Sequence, residues 1–295
     1  SAHTDDLLQP PPGPAALLLS SLAPLPSAVP LAPTAAHAAA QTDTIREYTR
    51  PAKTANSEYN DRSVEAPVSW LIVEDHRLEA CNAAGKCVTY SSHPILRING
   101  EGRTALAHSL DTWSKQEAQD AKKGFDFTYE CKKGDLKRGF LKETAYFDYS
   151  VIAKWGRVDE HMISFCLFGI SYAGGAHPMH GKGGMTFDAK TGKEVGLAAI
   201  VSNRETLLQA LAAAFRTQYP NREEELFAYD IDKQLERIHP AEKGLDTFSW
   251  YMGTRGELVF LYSPYALAPY ASGDFTLTIK REDAPELFTK AYPLK

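Results

Sequence analysis

The chain has 295 residues, 43% of them hydrophobic and 23% charged, enough to bury one sizeable core or two smaller ones and unlike a fibre or a disordered polymer. Lysine and arginine total 32 against 37 acidic residues, and the net charge of -5 has no basic stripe to it, which argues against nucleic acid as a partner. No stretch approaches the roughly 20 uninterrupted apolar residues of a membrane-spanning helix, so no membrane span is expected.

Residues 1–44 contain no Lys or Arg and are crowded with Ala, Leu and Pro. The run from Ala15 to Val29 reads as the apolar region of an export signal, and the small residues near Ala38 to Ala40 offer a cleavage site. A leader over residues 1–40 is therefore expected, with a Pro/Ala tail as the other reading. A polar linker is expected over residues 41–60.

From residue 61 the pattern becomes that of a folded chain. Short strands joined by tight turns are expected in VSWLIVEDHRLEACNAAGKCVTYSSHPILRI. Ala105, Leu106, Leu110 and Trp113 then recur at helical spacing, and Gly124 offers a C-cap that would end the helix there. Three strands should follow, FDFTYEC, ETAYFDYSVIAKW and HMISFCLFGISY, whose alternation suits an antiparallel sheet with one buried face. Farther on, Ser202 and Glu205 form a capping-box pattern before the stripe Leu207, Leu208, Leu211 and Phe215, with Pro220 ending that helix. A shorter helix and the strands TFSWYMG, ELVFLYS and DFTLTIK complete an α+β fold of two subdomains, residues 61–168 and 169–295.

Four cysteines, Cys81, Cys87, Cys131 and Cys166, allow three pairings. Cys81 and Cys87 flank a five-residue loop of hairpin character that a disulfide could staple, and Cys131 would then pair with Cys166 across strands. Their even number beside an export-like leader favours an oxidising compartment, periplasmic or extracellular. Cys-x5-Cys is wider than the usual zinc spacing, and no histidine sits at a matching offset.

The segment ISYAGGAHPMHGKGGMTFDAKTGKEVGL holds the most pointed local signals. Asp188 can head a turn and Gly192 can supply positive φ for the return, which makes TFDAKTGKEV a hairpin. Gly174 and Gly175 permit a sharp turn, and Pro178 forces His177 into an extended conformation. His177 and His180 lie three apart, but in a Gly/Pro loop without a third ligand, so a structural turn is the expectation and no metal or cofactor is assigned. The run GKGG lacks the spacing of a phosphate loop.

The run YAGGAHP followed by FDAKTGKEVGL, with LVFLYSPYALAPYASGDFTLTI near the end, resembles the extracellular domain of RsiV-type anti-sigma factors, also found ahead of the catalytic domain in PdaC-type peptidoglycan deacetylases. The motif positions are Tyr172, Gly174, Gly175, Ala176, His177, Asp188 and Gly192, then Tyr265, Ala268, Pro269, Tyr270, Ala271 and Gly273. The resemblance implies an exported envelope module of the kind that recognises lysozyme, with a protein or a cell-wall glycan as ligand. No sigma-binding or deacetylase segment accompanies the match, so those activities are not implied.

Tyr265, Pro269 and Tyr270 are the candidate ligand-binding residues. Two placements are open for the tyrosines, a recognition surface or a sheet corner packed into the core. No nucleophile elbow is present, and Glu143, Asp148, Asp159 and Glu160 fall on strands or turns where solvated faces are the ordinary explanation. The alternative function is a hydrolase acting on envelope polysaccharide or peptidoglycan. It would require a deep cleft with two convergent carboxylates or a bound metal, and whether the side chains around His177 and Glu143 converge on a pocket or disperse into turns separates the two readings.

Overall fold

The computed structural model describes residues 42–294 apart from 58–59 and 141–142, so the expected leader lies outside the described residues. Among the described residues twelve strands and α-helices follow in chain order. They are β1 (Thr44–Pro51), β2 (Leu71–Cys81), β3 (Cys87–Ile98), α1 (Thr104–Lys137), β4 (Tyr146–Val158), β5 (Met162–Tyr172), β6 (Met179–Asp188), α2 (Arg204–Gln218), α3 (Ile231–Ile238), β7 (Trp250–Met252), β8 (Leu258–Tyr262) and β9 (Phe275–Ile279). The architecture is α+β.

Strands β1 to β6 form one sheet in sequence order, and β7 to β9 form a second, antiparallel one. Every neighbouring pair of the large sheet is antiparallel except β3 and β4, which run parallel over Thr89–Ser92 and Tyr146–Tyr149. A parallel step needs a crossover connection, and α1 supplies it. Residues 169–172 continue β5 and residues 179–188 form β6, so both belong to the large sheet.

Helix α1 departs most from the sequence expectation. It runs through Gly124 and takes in Phe125–Cys131, the segment expected as a strand. Its buried residues Leu106, Leu110, Ser114, Glu117, Gly124, Phe125, Thr128 and Lys132 keep three- and four-residue spacing, and Phe127 is exposed. Gly124 is a packing residue: a Cβ there would stand 1.7 Å from Asp148 Oδ2. The bare backbone lets the helix settle against β4.

The polar segment expected as a linker instead forms β1, in register with β2 from Thr44 opposite Cys81 to Pro51 opposite Glu74. Its charges serve the pairing, because Arg46 Nη2 and Tyr48 OH both donate to Glu79, at 2.9 and 2.6 Å.

Two apolar cores result. Leu106 and Leu110 of α1 pack with Phe165, Leu167, Ile152 and Phe187 of the large sheet. Leu207, Leu211 and Phe215 of α2 pack with Phe260, Phe275 and Leu277 of the small sheet, each fully buried ring or Leu worth about 1.5 to 3 kcal/mol. The N-cap of α2 is Asn203, whose Oδ1 accepts from the Thr206 amide at 2.7 Å, while Ser202 bonds Glu286 O instead of capping. The two sheets touch along β6: the Lys182 amide donates to Ser263 Oγ at 3.1 Å and the Gly184 amide to Ser249 Oγ at 3.3 Å.

Candidate functional site

The two motif segments, some ninety residues apart in the chain, meet in space. Residues 173–178 turn between β5 and β6, and the loop after β8, residues 263–274, folds over that turn. The His177 and Tyr270 rings stack at 4.0 Å with 20° between their planes, and Tyr270 OH donates to Pro178 O at 3.2 Å. His177 Nδ1 lies 2.9 Å from the same carbonyl, so Pro178 O gathers the imidazole and the phenol together. His180 meets the edge of Tyr270 at 6.0 Å and also approaches Phe168.

Tyr265 lies outermost. Its ring is 5.5 Å from that of Tyr270, it is 49% exposed, and its φ is +72°. A left-handed backbone on an aromatic residue is strained, and the neighbouring turn, Ala266 N–H to Ser263 O at 3.0 Å, holds it there. Pro264 is buried beneath the loop and Pro269 is exposed on it. Neither tyrosine is a core residue.

The second half of the motif is structural. Asp188 Oδ1 accepts from the amides of Lys190 and Thr191 at 2.9 and 2.8 Å, and Tyr292 OH donates to Oδ2 at 2.6 Å. Burial raises the Asp188 carboxyl, but these bonds outweigh it and hold the group below the usual carboxylate range. Gly192 closes the turn at φ +72°, and a Cβ there would stand 2.5 Å from Ala105 O of α1. The return is a single bridge from Phe187 to Glu194 rather than a full strand. Gly174 likewise has positive φ, with the Tyr146 hydroxyl 2.6 Å from where its Cβ would be. Tyr172 packs edge-on against Tyr146 at 5.3 Å, and Gly175 is exposed in the turn.

Two neighbours were not legible in the sequence. The Phe227 amide donates to Leu267 O at 3.0 Å, which places the segment before α3 beside the tyrosine loop. It carries Tyr229, 75% exposed and with φ +58°. Nothing in the sequence separates Tyr229 from a buried aromatic, because its backbone conformation is imposed by the turn from Leu226.

Cys81 and Cys87 form a disulfide, closing the β2–β3 hairpin. Cys131 and Cys166 are free thiols, which corrects the expected second bridge. Cys131 lies on α1, on the side of the sheet carrying Phe165 and Leu167, whereas Cys166 alternates to the other face among Tyr251, Val259 and Leu261. Among the described residues one group of three metal-type ligand atoms lies within 4.8 Å of one another, that of Glu79, Cys81 and Cys87.

Glu143 lines a cleft of about 260 Å³ with Asn82, Lys86, Cys87, Val88, Lys132 and Leu136, a lining that includes no histidine. Asp159 pairs with Arg157 at 2.6 Å and Glu160 with Arg103 at 3.6 Å. Asp148 is buried under α1, where burial and then the charge of Asp120 push its carboxyl up to about 7; Glu117 on the helix is raised to about 7 by the same two causes. Among the described residues no helix is long and apolar enough to cross a membrane.

No curated protein matches the chain. A DUF3298 family crystal structure from Bacteroides fragilis is similar at a TM-score of 0.51 and 14% identity, over 84% of this chain and 92% of that one. A DUF3298 family protein from Pseudomonas aeruginosa aligns over 84% of this chain and 93% of its own at 13% identity, with a TM-score of 0.39. The first likeness extends to the fold alone. Residues 199–282, which hold α2, α3, the small sheet and the tyrosine loop, match the family described as a protein of unknown function, DUF3298, and the chain therefore carries a DUF3298 domain.

Proposed function

We propose that this is an exported cell-envelope binding module of two parts, without catalytic activity, whose ligand is a protein, lysozyme among the candidates, or a cell-wall glycan. Recognition runs through Tyr265, Pro269 and Tyr270. The observation that carries this reading is the Tyr265–Tyr270–His177 stack, a half-exposed aromatic tip on a strained backbone, seated on a second ring that is itself pinned to the turn between β5 and β6. Such a tip has little rotamer freedom to lose on binding and offers a broad face with one hydroxyl, which are the properties of a binding hot spot. The Cys81–Cys87 disulfide supports residence in an oxidising compartment.

Wild type beside Tyr265→Ala and Tyr270→Ala, each with a thermal melt, tests the reading by pull-down from envelope extract and by titration with lysozyme and with soluble peptidoglycan fragments. Tyr265→Ala should weaken binding by about 2 kcal/mol at an unchanged melting temperature. Tyr270→Ala should lower both, because its ring also supports His177. Binding that survives Tyr265→Ala unaltered would move the recognition surface elsewhere.

A further inference from the structure

We propose that reduction of the Cys81–Cys87 disulfide turns the β2–β3 hairpin into a binding site for a soft divalent cation such as Zn²⁺, with two thiolates and the Glu79 carboxylate as ligands. Sequence spacing argues against zinc because five residues separate the cysteines. The hairpin removes that objection by setting Cys81 opposite Cys87, and β2 adds Glu79 two residues back. Glu79 Oε2 lies 3.8 Å from Cys81 Sγ and 3.5 Å from Cys87 Sγ, and all three ligand atoms fall within 4.8 Å. Bonds of about 2.0 to 2.3 Å in a tetrahedron keep ligand atoms within about 4 Å of one another, so only small side-chain shifts are needed.

The charges around the site make it redox-gated. In the oxidised protein Glu79 faces two guanidinium groups, Arg46 at 2.9 Å and Arg77 at 2.6 Å, and Arg46 Nη2 also lies 3.3 and 3.6 Å from the two sulfurs. Asp61, 3.2 Å from Arg77, offsets one of them, so the oxidised site has no net charge to attract a cation. Two thiolates make it negative. Arg46 can leave, because its side chain is 56% exposed. Cys87 is only partly buried and lines the cleft with Lys86, Lys132 and Glu143, which gives a reductant a way in.

The step balances with an external dithiol as reductant. The S–S bond breaks, the dithiol supplies two electrons and two protons to form two thiols, and it closes into its own disulfide. The cation then takes up the two sulfurs and one Glu79 oxygen, and the two thiol protons go to solvent. Binding draws Glu79 away from Tyr48 and Arg46, the side chains through which β1 is fastened to it.

The test uses the full chain carrying Cys131→Ser, reduced with a phosphine, freed of reductant under argon and titrated with Co²⁺. The expected result is one equivalent of Co²⁺ bound with a thiolate-to-cobalt charge-transfer band that Zn²⁺ abolishes, no band in the oxidised protein, and at least tenfold weaker binding for Glu79→Gln. No band in the reduced protein overturns the proposal, as does an equal band in Cys81→Ser/Cys87→Ser, or loss of the circular dichroism of the fold on reduction alone. Undiminished affinity in Glu79→Gln removes the carboxylate from the ligand set and overturns the site as described.

Discussion

Two carboxyl groups, Glu117 of α1 and Asp148 of β4, are buried with no ion-pair partner among the described residues. Asp148 and Glu117 are each 8% exposed, and both are raised to about 7 by burial and then by the charge of Asp120. In the unfolded chain such groups titrate near 4. The folded state therefore holds protons that the unfolded state has released, and stability from these groups is complete below about pH 4, lost as pH rises toward 7 and constant above. Asp148→Asn keeps the shape and removes the titration. Urea unfolding should find Asp148→Asn more stable than wild type at pH 8, by about 2 kcal/mol, with the difference shrinking toward pH 4. A difference independent of pH would mean that the carboxyl is solvated or paired. Glu79 contrasts with them: burial raises it, but bonds from Tyr48 and Arg77 and the charges of Arg77 and Arg46 outweigh that and hold it low. Bonded partners hold Glu79 low while burial raises the other two, and the sequence alone does not tell them apart.

At the scale of elements, Gly124 decides how α1 sits. Alanine is the better helix former by about 1 kcal/mol, yet here its Cβ would meet the Asp148 carboxylate. Gly124→Ala should destabilise the protein by about 1 to 3 kcal/mol in chemical unfolding, and combining it with Asp148→Ala, which removes the two nearest atoms, should recover part of the loss. Stabilisation by Gly124→Ala alone would show that the helix rides higher on β4. The same glycine explains where sequence reading failed. Most strands, the paired helices of the second core and the Asp188–Gly192 turn were legible because alternation, apolar stripes and turn chemistry are local signals. FDFTYEC has strand composition, and only the tertiary seat of Phe125 and Thr128 on the sheet makes it helix. β1 was illegible for the opposite reason: with nearly every residue exposed it has no apolar face, and its pairing rests on Arg46 and Tyr48 reaching Glu79. In the candidate site, the motif residues were legible individually. The stacking of His177 on Tyr270 was not, since it depends on how the two sheets meet.

Across the whole molecule, cysteine chemistry gives a direct count. Only one bridge closes, so denatured, unreduced protein should titrate as two free thiols per chain, and as four after reduction. Native protein should react at Cys131 well before Cys166, which is buried and whose thiol burial pushes up to about 11. A count near zero would mean that the large sheet allows the two remaining cysteines to meet, against the face alternation of β5.

The parallel seam between β3 and β4 has a kinetic consequence. β1 to β3 form one antiparallel meander and β4 to β6 another, each built from contacts between chain neighbours, and the sheet joins them over only four residue pairs. Each meander can zip up early, whereas the seam must wait until α1 closes the long excursion between them. The native sheet then secures that late line from outside the strands, through the Val64 amide to Ile152 O and the Trp155 indole to Val64 O, both at 2.9 Å, so the two halves are clasped by a segment that docks only once they have met.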